Sequence, residues 1–222
     1  MILYAIPAPL GGAAVDALPA PTIRIVKGLR DFAVENAKTA RAFLGELGMP
    51  VRDLRIVAVD AEDALQPLRE GRALGLLSEA GCPAIADPGA KLVEAAHREG
   101  FRVVPLVGPS SLVLALMASG LEGQRFAFCG YLPREPAERE KRIRQLEKRS
   151  RVEKETQIFI ETPYRNDVLL AALLENCSPG TRLCVAADLT AAAESITTKR
   201  VAEWRKDAGP IGKRPAVFLL QA

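Results

Sequence analysis

The chain has 222 residues, 49% of them hydrophobic, with 30 basic and 27 acidic side chains and a formal net charge of +3 at pH 7. This composition excludes a disordered polypeptide and supplies enough apolar surface for one large or two modest domains. The four cysteines (Cys82, Cys129, Cys177, Cys184) form no CxxC pair, and the one histidine, His97, is not at metal-ligand spacing from them, so a zinc site and a disulfide framework are both disfavoured and no metal is expected.

Taken in order, Ile2 to Ile6 reads as a short buried strand, followed by the Gly/Pro turn Pro7-Ala8-Pro9-Leu10-Gly11-Gly12. The opening MILYAIPAP has no basic region and is expected to be this strand and not a signal peptide. The turn carries neither GxGxxG nor Gly-Lys-Ser/Thr, which argues against dinucleotide and P-loop sites. Thr22 to Arg30 is helical in pattern and Phe32 to Glu35 extended; Asn36 is placed to cap a helix that ends at Gly48 before Pro50. Leu54 to Val59 reads as a strand, Glu62 to Glu70 as a helix and Ala73 to Leu77 as a strand, an alternation that predicts a parallel sheet.

Ser78 to Gly89, SEAGCPAIADPG, then joins a strand to the helix expected over Lys91 to Arg98. Ligands of open α/β sheets bind at such carboxyl ends of strands. Glycine frees the backbone there and proline stiffens it, which suits close approach of a ligand to the main chain. An ordinary tight connection would have the same composition. Phe101 to Val107 is a further strand, and Gly108-Pro109-Ser110-Ser111 opens into a helix from Leu112 to Ser119. The longest wholly apolar run, Leu112 to Ala118, is far short of the roughly 20 residues of a membrane span. The chain is therefore read as cytoplasmic, with a boundary near Gly120 dividing it into residues 1–119 and 120–222.

A new alternation begins with a strand at Arg125 to Cys129 and the turn Gly130-Tyr131-Leu132-Pro133. Between Glu138 and Glu155 lie eight basic residues and five glutamates, a helix whose basic side chains, among them Arg139, Arg142, Arg144 and Arg149, form a candidate patch for phosphates. Glu138 to Arg142, Glu140 to Arg144 and Glu147 to Arg151 are also i,i+4 pairs of an exposed helix that binds nothing. Thr156 to Glu161 reads as a strand ending in Thr162-Pro163-Tyr164-Arg165, Asn166 to Asn176 as a helix, and Thr181 to Ala187 and Ala216 to Leu220 as strands, with Gly209 to Pro215 an exposed turn.

The loops PAPLGG, SEAGCPAIADPG, LVGPSS, GYLP and ETPYR occur in an order that resembles the tetrapyrrole methylase superfamily of S-adenosylmethionine-dependent methyltransferases, most closely its ribosomal RNA small-subunit methyltransferase I branch. The resemblance runs from Leu3 to about Leu220. It implies two α/β domains of the tetrapyrrole methylase type with the cofactor in the interdomain cleft, a homodimer, and an RNA or ribosomal-subunit substrate methylated at a ribose 2′-hydroxyl. By matching motif, S-adenosylmethionine would contact Pro9 and Leu10, then Gly81, Cys82 and Ile85, then Ser110 and Ser111. From the second domain Thr162, Ala187, Asp188, Leu189, Pro215 and Ala216 would reach it. The chain departs from the branch's pattern at Ala8, Gly12, Glu79, Cys82, Ala191 and the Lys213 to Ala216 segment.

Methyl transfer from a sulfonium is a direct displacement, so the protein aligns the groups and, for a hydroxyl nucleophile, removes a proton. Candidate catalytic residues are Glu79 and Asp87 on the central loop, Glu35 at a strand end, and Glu161 with Arg165. Four of these have a plainer reading: Glu79 and Asp87 as partners of their own loop's N–H groups, Glu161 and Arg165 as a local ion pair. Tyr164 could stack on a base or simply pack. Methylation of a tetrapyrrole or other small molecule, and cofactor binding without catalysis, are the alternative functions.

Overall fold

In the computed structural model, which describes residues Met1–Ala222, strands β1 (Ile2–Ile6), β2 (Asp31–Val34), β3 (Arg55–Ala58), β4 (Leu74–Leu77) and β5 (Arg102–Pro105) form a sheet of order β3-β2-β4-β1-β5 in which every pairing is parallel. All four residues of β2 and of β4 are buried, as strands covered on both faces must be. Alternate side chains feed two cores: Phe32, Val34, Ile6 and Leu77 pack among Val26, Phe43 and Leu44, whereas Leu3, Ala33, Leu74 and Leu76 pack among Leu65, Leu68, Leu92 and Ala96. Helices α1 (Ala14–Ala17), α2 (Ala20–Lys27), α3 (Ala37–Glu46), α4 (Gln66–Arg69) and α5 (Ala90–Arg98) supply those partners.

The expected Asn36 cap is present: its Oδ1 accepts from the Lys38 N–H at 2.9 Å and the Thr39 N–H at 3.4 Å. The helix expected over Glu62 to Glu70 is reduced to one turn. Pro67 has no N–H to offer the Asp63 carbonyl, so residues 62–65 form separate turns and α4 begins only at Gln66.

In the remainder, β6 (Phe126–Tyr131), β7 (Thr156–Ile160), β8 (Arg182–Ala187), β9 (Ser195–Arg200) and β10 (Ala216–Gln221) form a second sheet of order β6-β7-β10-β8-β9. Only β6 and β7 pair in parallel; the other three pairings are antiparallel, so this sheet is mixed. Helices α7 (Pro136–Glu153), α8 (Asn166–Asn176) and α9 (Val201–Trp204) surround a core containing Ile143, Leu146, Phe159, Leu173, Phe218 and Trp204. The Phe159 and Phe218 rings stack with centroids 6.0 Å apart. Strand β9 and helix α9 have no counterpart among the expected elements: β9 is SITTKR, polar at most positions and exposed at the sheet's edge. The turn expected at Gly130 is a bulge within β6, where Gly130 takes φ +66° and the strand continues to Tyr131.

The chain separates into two compact units, Met1–Ser110 and Ser111–Ala222. This division lies one helix before the boundary expected at 119/120. Helix α6 (Ser111–Ser119) has its neighbours in β10, β9 and β8, which places it with the second unit. No helix is long and apolar enough to cross a membrane.

Candidate functional site

In the first unit, β4, β1 and β5 are adjacent, so the loops that follow them emerge side by side. These are the loops singled out by the sequence: Pro7 to Gly12, Ser78 to Gly89 and Leu106 to Ser111, of which Ser111 is already the first residue of α6. They are fastened to one another. Ala8 and Gly81 exchange backbone hydrogen bonds of 2.8 and 3.0 Å, and the Cys82 Sγ–H donates to the Pro109 carbonyl at 3.4 Å. Burial raises the Cys82 thiol above its ordinary range, which keeps it protonated and able to donate. Thr22 Oγ1 donates to the Val107 carbonyl at 2.8 Å, anchoring the third loop to α2.

Close approach explains the small residues. A Cβ on Gly108 would lie 2.4 Å from Pro7 Cβ, and one on Gly81, at φ +70°, would lie 3.2 Å from Leu10. Ala84 and Ala86 both have positive φ, 65° and 63°, a conformation that L-residues avoid and that the Ala84 N–H to Pro88 carbonyl contact at 3.3 Å supports. Pro9, Leu10, Cys82, Ser110 and Ser111 are part-exposed, Ile85 is exposed and Gly81 is buried. The cradle fits a ligand recognised mainly through backbone groups.

Three carboxylates gather at the ends of β2 and β4. Glu35 Oε2 accepts from the Glu79 N–H at 3.1 Å, and the Glu35 N–H donates to the Leu77 carbonyl. Partial burial, reinforced by the charges of Glu35 and Glu79 and opposed by a hydrogen bond from Ser78, pushes Asp87 up to about 6. Asp87 also lines a cavity of about 680 Å³ with Asp60, Glu62, Arg69, Lys91 and Arg98. His97 is exposed near the end of α5 and takes no part in this cluster.

In the second unit, the ends of β7 and β8 and the start of β10, the three central strands, meet at one end of the sheet, since Val217 pairs with Ile160 and Ala216 with Ala187. Thr162, Ala187, Asp188, Leu189, Pro215 and Ala216 are thereby brought together. Asp188 and Thr190 have φ of +51° and +69°. The Asp188 N–H donates to the Pro215 carbonyl at 3.0 Å, while Arg214 Nε donates to Asp188 Oδ2 at 2.5 Å. Arg214 was not among the expected site residues; its partner lies 26 positions away, a separation that no local pattern reveals. Glu161 and Arg165 form the ion pair that was one of their two readings, at 3.3 Å, with the Glu161 side chain only 1% exposed. Glu161 Oε1 also accepts from the Thr162 N–H at 2.8 Å, so this carboxylate holds the loop.

Of the four arginines expected to face RNA, Arg139 is turned inward, 7% exposed, and donates to the Arg134 carbonyl at 3.0 Å. It lies one turn before Ile143 on the buried stripe of α7. Arg144 pairs with Glu140 at 3.6 Å and Arg149 with Glu155 at 2.6 Å. Glu147 and Arg151 are paired at 3.7 Å. The expected Glu138–Arg142 pair does not form, so Arg142 has no ion-pair partner, and Lys141 and Lys148 are likewise unpaired.

Comparison with solved structures places the chain in the two-domain tetrapyrrole methylase fold class. The uroporphyrin-III C-methyltransferase of Thermus thermophilus matches with a TM-score of 0.59 and 21% identity over 99% of this chain and 94% of that one, a likeness that shows the fold alone. The chain belongs to the ribosomal RNA small subunit methyltransferase I family. It is 30% identical to the Vibrio cholerae member over 206 residues, 91% of this chain and 69% of that protein. It is 34% identical to the Halalkalibacterium halodurans member over 167 residues, 73% of this chain, and there it spans only 56% of the relative's length. No protein-family model matches the chain.

Proposed function

We propose that the chain transfers a methyl group from S-adenosylmethionine to RNA, at a ribose 2′-hydroxyl of ribosomal RNA. The observation that carries this reading is the fastening of the three Gly/Pro loops into one backbone cradle through Ala8–Gly81 and Cys82–Pro109. Family membership supports it. Bound there, the donor would supply the electrophilic methyl group. Pro9, Leu10, Gly81, Cys82, Ile85, Ser110 and Ser111 would hold it by resemblance, as would Thr162, Ala187, Asp188, Leu189, Pro215 and Ala216 in the second unit.

Asp87 is the proton acceptor best suited to a hydroxyl nucleophile. Its raised affinity for protons makes it a stronger base than an ordinary carboxylate, yet it is still ionised at neutral pH. Glu79 is exposed on the same loop and shares the role of shaping Asp87. Glu161 and Arg165 serve as positioning residues for Thr162. RNA phosphates would meet Lys141, Arg142 and Lys148 on α7, whose cations are unpaired. Homodimer formation belongs to the same reading; on α6, Val113 and Met117 are 49% and 75% exposed, an apolar pair available to a second copy. So does a cytoplasmic location, which four free thiols suit.

Calorimetric titration with S-adenosylmethionine and its demethylated product is the direct test. Micromolar binding, about −8 kcal/mol, followed by transfer of labelled methyl groups to small ribosomal subunits, is the expected result. Failure of both ligands to bind at millimolar concentration would remove the methyltransferase reading.

A further inference from the structure

Tyr164 is 78% exposed, yet its surroundings are fixed. It lies in a 3-10 turn, Pro163–Arg165, whose preceding N–H is held by buried Glu161 and whose third residue is paired to the same carboxylate. Directly after the turn, Asn166 is fully buried and donates from Nδ2 to the Gly212 carbonyl at 3.1 Å and the Arg214 carbonyl at 2.7 Å. Asp167 Oδ1 accepts from the Ile211 N–H at 2.7 Å and the Gly212 N–H at 3.2 Å. Four hydrogen bonds thus lock the 211–214 segment onto the start of α8. Arg214 is spent on Asp188 and on the Ala193 carbonyl.

Between these anchors stands Lys213, with its ammonium 5.1 Å from the centroid of the Tyr164 ring and no carboxylate at ion-pair distance. A second exposed ring, Tyr131, ends β6 at the same end of the sheet, where it pairs with Ile160. Neither Tyr164 nor Lys213 contributes to a core. The protein holds an aromatic face and an unneutralised cation in a fixed relation and presents both to solvent.

We infer that Tyr164 and Lys213 form a nucleotide platform for single-stranded RNA, the ring stacking on a base and the ammonium meeting a neighbouring phosphate. A cation over one face leaves the opposite face for the base. Stacking on an aromatic side chain tolerates any sequence, and a preset ring–cation geometry reduces the ordering that binding would otherwise require. This assignment rests on the RNA methyltransferase reading and names the part of the second unit that receives the RNA.

The test uses the full chain, a short fluorescein-labelled single-stranded RNA of mixed sequence followed by anisotropy across a salt series, and calorimetry with S-adenosylmethionine. Tyr164→Ala should weaken RNA binding by about tenfold or more, as loss of one stacked base does, whereas Tyr164→Phe should match the parent. Lys213→Ala should weaken binding and reduce the salt slope by about 0.7, the value for one phosphate of a single strand. Donor affinity and the melting curve should be unchanged in all three. The platform is overturned if Tyr164→Ala and Lys213→Ala bind RNA like the parent, or if Tyr164→Phe is as damaging as Tyr164→Ala. It is equally overturned if Tyr164→Ala loses donor binding, since the ring would then belong to the donor site. If the parent binds the donor but no RNA at low salt, the RNA reading itself fails and the platform falls with it.

Discussion

Gly108 and Pro7 approach so closely that a Cβ on the glycine would sit 2.4 Å from the Cβ of the proline, and 2.9 Å from Leu18 Cδ2. The first and third loops of the first unit are therefore packed backbone against ring, and the position accepts no side chain. Gly108→Ala is expected to destabilise the protein by about 1–3 kcal/mol, as overpacking does. It should also weaken S-adenosylmethionine binding by separating the loops, which thermal melting and calorimetry would show together.

Asp87 sets a pH dependence. The group's ordinary value is 3.8 and it is raised to about 6, so the folded state holds this proton more tightly than the unfolded chain. The stability it contributes is full below about pH 4 and is lost as pH rises through about 6. Asp87→Asn should accordingly gain stability relative to the parent above pH 6, read from melting curves at pH 4 and pH 7.5. As a base, Asp87 must be ionised, so methyl transfer should rise with pH through about 6. That limb should vanish in Asp87→Asn, with activity down by on the order of a hundredfold or more.

Glu35 acts on Asp87 through its charge and on Glu79 through the 3.1 Å hydrogen bond. Glu35→Gln should move the pH limb downward while leaving the donor affinity in place. A limb that stays at its original pH would show that Glu35 does not tune the site.

On α7, Lys141→Glu, Arg142→Glu and Lys148→Glu combined should weaken RNA binding and flatten its dependence on salt, because none of these cations has an ion-pair partner, Lys141 and Lys148 are exposed and Arg142 is part-exposed. Arg139→Glu should instead lower the melting temperature, since that side chain is buried beside the core. Equal RNA affinity in the triple variant and the parent would reduce the helix to a solvated face.

Glu147 is buried on the inner side of the same helix, accepting from the Ser178 N–H at 2.6 Å, from Ser178 Oγ at 3.1 Å and from Thr181 Oγ1 at 2.5 Å. Glu147→Ala would leave those donors without a partner and should cost about 3 kcal/mol. Chemical denaturation measures it directly.

The loops of the first unit were legible in the sequence because glycine and proline act locally: they break helices and strands wherever they stand, and the intervening apolar runs have few other structures open to them. The donor-contact residues on those loops came from the resemblance. The orientation of Arg139 was also within reach, since Ile143 and Leu146 mark the apolar stripe and Arg139 is one turn before Ile143. Strand β9 was not, because SITTKR at an exposed sheet edge carries none of the apolar alternation that marks a half-buried strand.

By itself the sequence determined most elements, the positions of the ligand loops and the α/β class, all consequences of backbone propensity and hydrophobic period. Tertiary structure alone decided which of these meet. Glu35 and Glu79 are neighbours because β2 lies beside β4 in the sheet order. Arg214 reaches Asp188 because β10 runs antiparallel to β8, and Tyr164 faces Lys213 because Asn166 and Asp167 clamp a distant loop. Strand order and pairing direction are fixed by how both faces of a sheet are buried, a non-local free energy that no short stretch of residues encodes.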